Sequence, residues 1–167
     1  MASRSSRATV GVALAVGGMG ALCFGFKGSA LTLFAAGVRA LEGDWRARHP
    51  EFHGTMAERW QKALEFYRET HRDATNRKLH IIGIPMIVGG AAGLLVSRPF
   101  SPVSGGVWLG SLALFGTGWA LNLVGHAKYE GRAPAFSEDG LSFVAGPVWD
   151  LQELMKHLAA RRAPERI

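Results

Sequence analysis

Three histidines, an asparagine and a glutamate stand in two short polar islands of an otherwise apolar chain. The first island, F-Y-R-E-T-H-R-D-A-T-N-R-K-L-H-I-I-G-I-P from Phe66 to Pro85, carries His71, Asn76 and His80; the second, G-H-A-K-Y-E-G-R-A-P-A from Gly125 to Ala135, carries His126 and Glu130. Imidazole and carboxylate donors together suit Fe, Zn, Mn or Ni, and a nitrogen-rich set with an open position is how non-haem iron takes part in oxygen chemistry. Any one of these histidines could equally be a hydrogen-bonded interfacial residue. Several polar groups held at one level near lipid are harder to explain without a function, because unpartnered they are costly there.

Such a site needs a frame, and the composition indicates which. Of 167 residues, 48% are apolar, 22 are glycine and only 19% are charged, a mixture that points to a small membrane protein. The formal charge of +6 would suit nucleic acid or anionic lipid. The basic residues are spread between apolar runs, without the aromatic signature of RNA binding, so a positive-inside bias explains them better and no nucleic-acid partner is expected. The single cysteine, Cys23, excludes an internal disulfide framework and reads as packing. No dinucleotide or P-loop fingerprint is visible.

Residues 8 to 26 carry no charge and would span about 28 Å as a helix, close to the hydrocarbon thickness. A signal peptide is the competing reading, but the run is long for one, and Leu22 before Cys23 fits a lipoprotein cleavage site badly. Residues 28 to 41, interrupted by Arg39, form a weaker span that could be re-entrant. Residues 81 to 96 and 103 to 125 are the clearest spans, joined by the breaker-rich S-R-P-F-S-P. Gly89 and Gly93 in one, and Gly106 and Gly110 in the other, predict small-residue faces for close helix contact.

Between these runs, Thr55 and Glu58 have the spacing of a capping box, predicting an amphipathic helix over 56 to 71 with Trp60, Leu64, Tyr67 and His71 on its packed side. Ser137 to Gly146 reads as loop, and Pro147 as the start of a last helix with Val148, Leu151, Leu154, Met155 and Leu158 on one side. Trp149, Lys156, Arg161 and Arg162 suit a helix on the membrane surface, and packing on the 56 to 71 segment is the equal alternative. Lys and Arg concentrate in the N-terminus, the 42 to 79 segment and the C-terminal tail, which predicts that these face the cytoplasm. The expected fold is therefore all-α: an integral membrane helical bundle of about four transmembrane helices, a cytoplasmic amphipathic helix and a C-terminal interfacial helix. It forms a single membrane domain, with N-terminal spans and linker over 1 to 55 and the metal-site core over 56 to 160. The expected membrane is a bacterial inner membrane or one like the endoplasmic reticulum.

In that frame His80 begins the third span and His126 ends the fourth, so an antiparallel hairpin brings them to one face. His71 and His80 lie about 180° apart on a continuous helix, so a break is required at Asp73-Ala-Thr-Asn76, residues that favour turns and N-caps. Asn76 then faces the same way as His80, and Glu130 the same way as His126. A bis-histidine haem held by His80 and His126, or a scaffold without chemistry, remains a competing outcome. His49 and His53 read as surface loop and His157 as solvent-facing.

The motifs H-R-D-A-T-N-R-K-L-H-I-I-G-I-P and V-G-H-A-K-Y-E-G-R-A-P-A, followed by G-P-V-W-D-L-Q-E-L, resemble the membrane family typified by the fungal endoplasmic-reticulum 2-hydroxy fatty acid dioxygenase. The resemblance covers about residues 60 to 156. It implies an Fe(II)-dependent dioxygenase that uses O2 to shorten a long-chain 2-hydroxy fatty acid by one carbon, in alpha-oxidation. It makes His71, His80 and His126 the iron ligands, with Asn76 and Glu130 as a fourth ligand or supporting groups. Asn122 stands where many members have glutamine. The acyl tail is expected between the spans, with the acid head near Arg72, Arg77 or Lys78. Membrane lipid is an expected partner and a homo-oligomer is possible.

Overall fold

A computed structural model describes residues 6–162, and the side chains of residues 7–159. It is built from six α-helices: α1 (Ser6–Cys23), α2 (Lys27–Arg48), α3 (Met56–Glu69), α4 (Ala74–Val96), α5 (Gly105–Gly125) and α6 (Ser142–Arg162). A π-helical turn, His126–Glu130, extends α5, and a 3-10 turn, Ala135–Ser137, precedes α6. No strand occurs among the described residues. Helices α1 and α2 form one antiparallel hairpin, α4 and α5 a second, and α6 packs on α3 and α4.

The α4–α5 hairpin is set by a seam of small residues seven apart. Asn76, Gly83, Gly90 and Ser97 are buried along α4 and its C-cap, and Ser111, Gly118 and Gly125 along α5. A repeat of seven keeps one line of residues on the partner helix through a left-handed pair, and residues this small let the backbones close up. A Cβ on Gly118 would lie 2.6 Å from the carbonyl oxygen of Gly83, and one on Gly90 would lie 2.8 Å from that of Ser111. At the open end Gly125 faces the Asn76 side-chain amide. This differs from the expected faces: Gly93 meets Ser111, whereas Gly89, Gly106 and Gly110 border open space. Spacing by four drifts round the helix, and only spacing by seven follows the seam.

Among the described residues two helical runs, Ala74–Val96 and Gly105–Glu130, are long and apolar enough to cross a membrane, rather than the four expected. The apolar run of α1 ends at Cys23, and α2 continues through Arg39, Glu42, Asp44 and Arg46.

Helix α3 starts as its capping box requires: Thr55 Oγ1 accepts from Glu58 N at 3.3 Å and Glu58 Oε2 from Thr55 N at 2.6 Å. Its buried line is Arg59, Ala63 and Tyr67, one position round from the expected Trp60 and Leu64. The turn is driven by charge. Arg59 is fully buried, and its guanidinium meets Asp139 through two hydrogen bonds of 2.6 and 3.0 Å. Glu42 lies 2.8 Å from it, and the Trp45 ring centre is 3.7 Å away. A buried cation is tolerable only with such compensation, and this one fastens α2, α3 and the segment before α6.

Helix α6 begins five residues before the expected Pro147 start. Asp139 sets it: its carbonyl accepts from Ser142 N at 3.0 Å, and its Oδ1 from Leu141 N at 3.0 Å. Pro147 inside the helix forfeits one backbone bond near its N-terminal end. Trp149 is buried rather than an interfacial anchor; its ring lies 5.8 Å from that of Tyr67, with the Arg77 guanidinium 4.3 Å above it. Val148, Met155 and Leu158 stay exposed on the opposite side, so the packed alternative describes α6.

The seam gives a direct stability contrast. Gly118→Ala places a methyl against backbone and should cost about 1–3 kcal/mol, the range for overpacking. Gly110→Ala faces open space and should leave stability unchanged or slightly raised. Thermal unfolding of the two variants in the same detergent checks this, and equal melting temperatures would contradict the seam.

Candidate metal centre

The three histidines come from three differently built positions. His71 follows the end of α3, whose last carbonyls have no partner further along the helix. The carbonyl of Tyr67 uses that vacancy, lying 2.7 Å from His71 Nδ1, and the Tyr67 ring stacks on the imidazole at 3.8 Å. Asp73 then caps α4, its Oδ1 accepting from Thr75 N and Asn76 N, both at 2.8 Å. This is the break that the sequence demanded, and it lets His71 fold back over His80. His80 Nδ1 lies 3.0 Å from the Asn76 carbonyl in the first turn of α4. His126 enters from α5, at the start of the π-helical turn.

All three imidazoles are buried, and their ring centres are 4.6 to 4.9 Å apart, pairwise edge to face. One nitrogen from each falls within 4.8 Å of the others. Because carbonyl oxygens only accept, the protons of His71 and His80 are assigned to Nδ1. Their Nε2 atoms are then both unprotonated, yet they face each other at 3.3 Å. Two lone pairs in that position repel unless a proton or cation lies between them. His126 Nδ1 is likewise buried with no hydrogen-bond partner. A ligating histidine commonly donates its second nitrogen to a carbonyl, as His71 and His80 do. Burial, reinforced by the neighbouring His80, pushes His71 down to about 3, which keeps its imidazole neutral and able to ligate.

The other two expected site residues stand just outside this nest. Glu130 Oε1 accepts from Asp73 N at 2.9 Å and from Asn76 Nδ2 at 3.0 Å. The carboxylate therefore ties the π-helical turn to the first turn of α4. Among the described residues the cluster contains the three histidines and no carboxylate. Behind His71, the Tyr67 hydroxyl donates to Asp150 Oδ2 at 2.6 Å. Burial pushes the Tyr67 phenol well up and Asp150 up to about 6. This pair was missed: Asp150 sits in G-P-V-W-D-L, but only the α3–α6 contact places it under the site.

His49, expected in a surface loop, is partly buried and stacks on Trp45; His53 and His157 are exposed, as expected. Cys23 is partly buried and free. Arg72 and Lys78 are exposed and Arg77 rests on Trp149, so none of the three lines the cavity described next, contrary to the expected acid-head pairing.

A cavity of about 530 Å³ runs from the histidines between the two hairpins. Its polar lining is confined to Tyr67, the three histidines, Asn122 and Ser142, and the rest is apolar or aromatic. Leu31, Val88 and Val148 both line it and are exposed, so it opens to the outside along its apolar side.

A nest of three buried imidazoles that could hold a metal ion, at the head of an apolar cavity on an all-helical frame, defines the class of protein. The chain belongs to the 2-hydroxy-palmitic acid dioxygenase Mpo1-like family, whose model matches residues 57–158. No curated protein and no solved structure matches it.

The Glu130 geometry predicts how that residue acts. Glu130→Ala leaves the buried Asn76 amide and the Asp73 N–H without an acceptor and should cost about 1–3 kcal/mol. Glu130→Gln keeps an acceptor oxygen and should retain both stability and metal binding. Thermal unfolding and metal content distinguish the roles, since a ligating Glu130 would lose metal in the Gln variant.

Proposed function

We propose that this chain is a membrane-embedded, Fe(II)-dependent dioxygenase that cleaves long-chain 2-hydroxy fatty acids to the acid one carbon shorter. The observation that carries the reading is the facing pair of Nε2 atoms of His71 and His80, 3.3 Å apart and buried, with His126 closing the third side. Three neutral imidazoles fit an ion with room for further ligands. The donor set accepts zinc as readily, but zinc has no redox chemistry, and the family description names an oxygen-using reaction. Ring centres of His80 and His126 only 4.9 Å apart leave no space for a porphyrin between them, which disfavours the haem alternative.

Iron bound here supplies a Lewis acid for the 2-hydroxy carboxylate and the unpaired electrons through which O2 reacts. The chain's own contributions follow from its geometry. His71, His80 and His126 hold the metal; the Tyr67 and Asn76 carbonyls fix the orientation of the first two rings; Asn76 and Glu130 lock the π-helical turn that carries the third. The tail lies in the apolar cavity and excludes water from the head. The reaction balances with O2 alone: C1 leaves as carbon dioxide, C2 becomes the new carboxyl carbon, and the remaining oxygen leaves as water. All four electrons come from the substrate, so no nicotinamide or flavin partner is needed.

Membrane embedding is supported by the two long apolar helical runs and by their exposed side chains Val88, Val107, Leu109, Leu114 and Leu123. Lipid is the proposed surrounding, and the distribution of Lys and Arg supports a cytoplasmic position for the histidine end.

The test uses detergent-purified protein loaded anaerobically with Fe(II), then given a long-chain 2-hydroxy fatty acid and oxygen. Expected are one iron per chain, oxygen uptake and an acid one carbon shorter; His80→Ala should lose both iron and turnover. An iron-replete, active His80→Ala would contradict the site, and iron binding without turnover would contradict the reaction.

A further inference from the structure

Helices α1 and α2 precede the segment matched by the family, yet they form one wall of the cavity. Their hairpin is closely packed in itself: a Cβ on Gly18 would lie 2.7 Å from the Ala30 carbonyl oxygen, and one on Gly37 would lie 2.6 Å from that of Gly11. Its direction is fixed at the turn. A Cβ on Gly25, which has φ of 83°, would lie 2.7 Å from Pro99, in the connection between α4 and α5. The α1–α2 turn thus lies at the end of the bundle opposite the three histidines.

Met19, Leu22 and Ala30 beside that turn line the cavity, and so does Leu95 near the end of α4. Leu22 and Ala30 are buried in one cluster with Leu94 and Phe115, against which Met19, Ala91 and Leu95 pack. The cavity therefore follows α4 from His80 to Leu95, about 22 Å at the helical rise, and ends against the hairpin. A path of that length, polar at one end and apolar along the rest, matches an extended long acyl chain.

We propose that the α1–α2 hairpin is the chain-length stop of this protein, with Met19 and Leu22 forming the end wall that sets the longest acyl chain accepted. This rests on the cavity being the acyl site of the reaction proposed above. A methylene that loses its place in an apolar cavity costs about fourfold in affinity. Shortening an end-wall side chain therefore favours longer ligands, and filling the cavity short of that wall favours shorter ones. Ala91, eleven residues along α4 from His80, lines the cavity about 16 Å from the histidine level, roughly three-quarters of the way to Leu95.

The test measures retention of saturated 2-hydroxy acids of graded length by metal-free protein in phosphatidylcholine nanodiscs. It uses the unmodified chain, Met19→Ala, Leu22→Ala and Ala91→Leu, each first checked for thermal unfolding. The two end-wall variants should move the preferred length upward, and Ala91→Leu should weaken the longest acids about fourfold per displaced methylene while sparing the short ones. A length preference in the unmodified chain that none of the folded variants moves would overturn the hairpin as the stop. Absence of binding at every length would instead remove the acyl reading of the cavity, and the proposal with it. A shifted preference without any oxygen uptake after iron loading would support the stop and count against the reaction alone.

Discussion

The register of α4 against α5 is the constraint on which the rest depends. Two backbones drawn together at Gly83, Gly90, Gly118 and Gly125 have one depth at which their small residues alternate, and sliding either helix by a turn drives a larger side chain into the seam. That depth brings the start of α4 level with the end of α5, so His80 and His126 meet without any loop having to carry them. The seam ends in the site itself, because its last pair is Gly125 against Asn76, and Asn76 also donates to Glu130 and offers its carbonyl to His80. Packing and chemistry share a residue there.

A second constraint is the management of buried polar groups. The bundle hides an arginine, several carboxylates and three imidazoles, and each is treated differently. Arg59 is neutralised by Asp139 and Glu42 and stacked on Trp45, which makes it a fastener between helices. Asp150 is held by a phenol and stands near Arg77. The three histidines are brought together with no carboxylate in their cluster among the described residues, and His71 and His80 direct their protons outward to backbone carbonyls and their lone pairs inward. A cluster of acceptors costs stability unless a cation joins it, and that cost is the physical argument for a metal.

Much of this was legible in the sequence because it rested on local chemistry. Thr55 and Glu58 announced α3, Asp73 to Asn76 announced the break that folds His71 over His80, and the two apolar runs announced the hairpin that adds His126. What was not legible depended on contacts distant in sequence. Arg59 was not among the residues expected on the packed side of α3, because its burial depends on Glu42 and Asp139, which reach it in space from either side of it in the chain. Trp149 looks like an interfacial anchor until α6 lays it on Tyr67. Glycine was abundant enough that spacing by four could be found anywhere, and the seam of seven emerges only when the partner helix is in place. Pro147 misled for a related reason, since proline is tolerated near a helix start and Asp139 had already begun that helix.

The central claim, that His71, His80 and His126 bind one metal through imidazole nitrogen, is tested most directly by X-ray absorption at the iron edge of the intact protein loaded anaerobically with Fe(II). The account predicts one iron per chain with the multiple-scattering signature of three imidazoles, reduced when any one of the three is replaced by alanine. Iron bound without imidazole scattering, or a spectrum unchanged by those replacements, would contradict it.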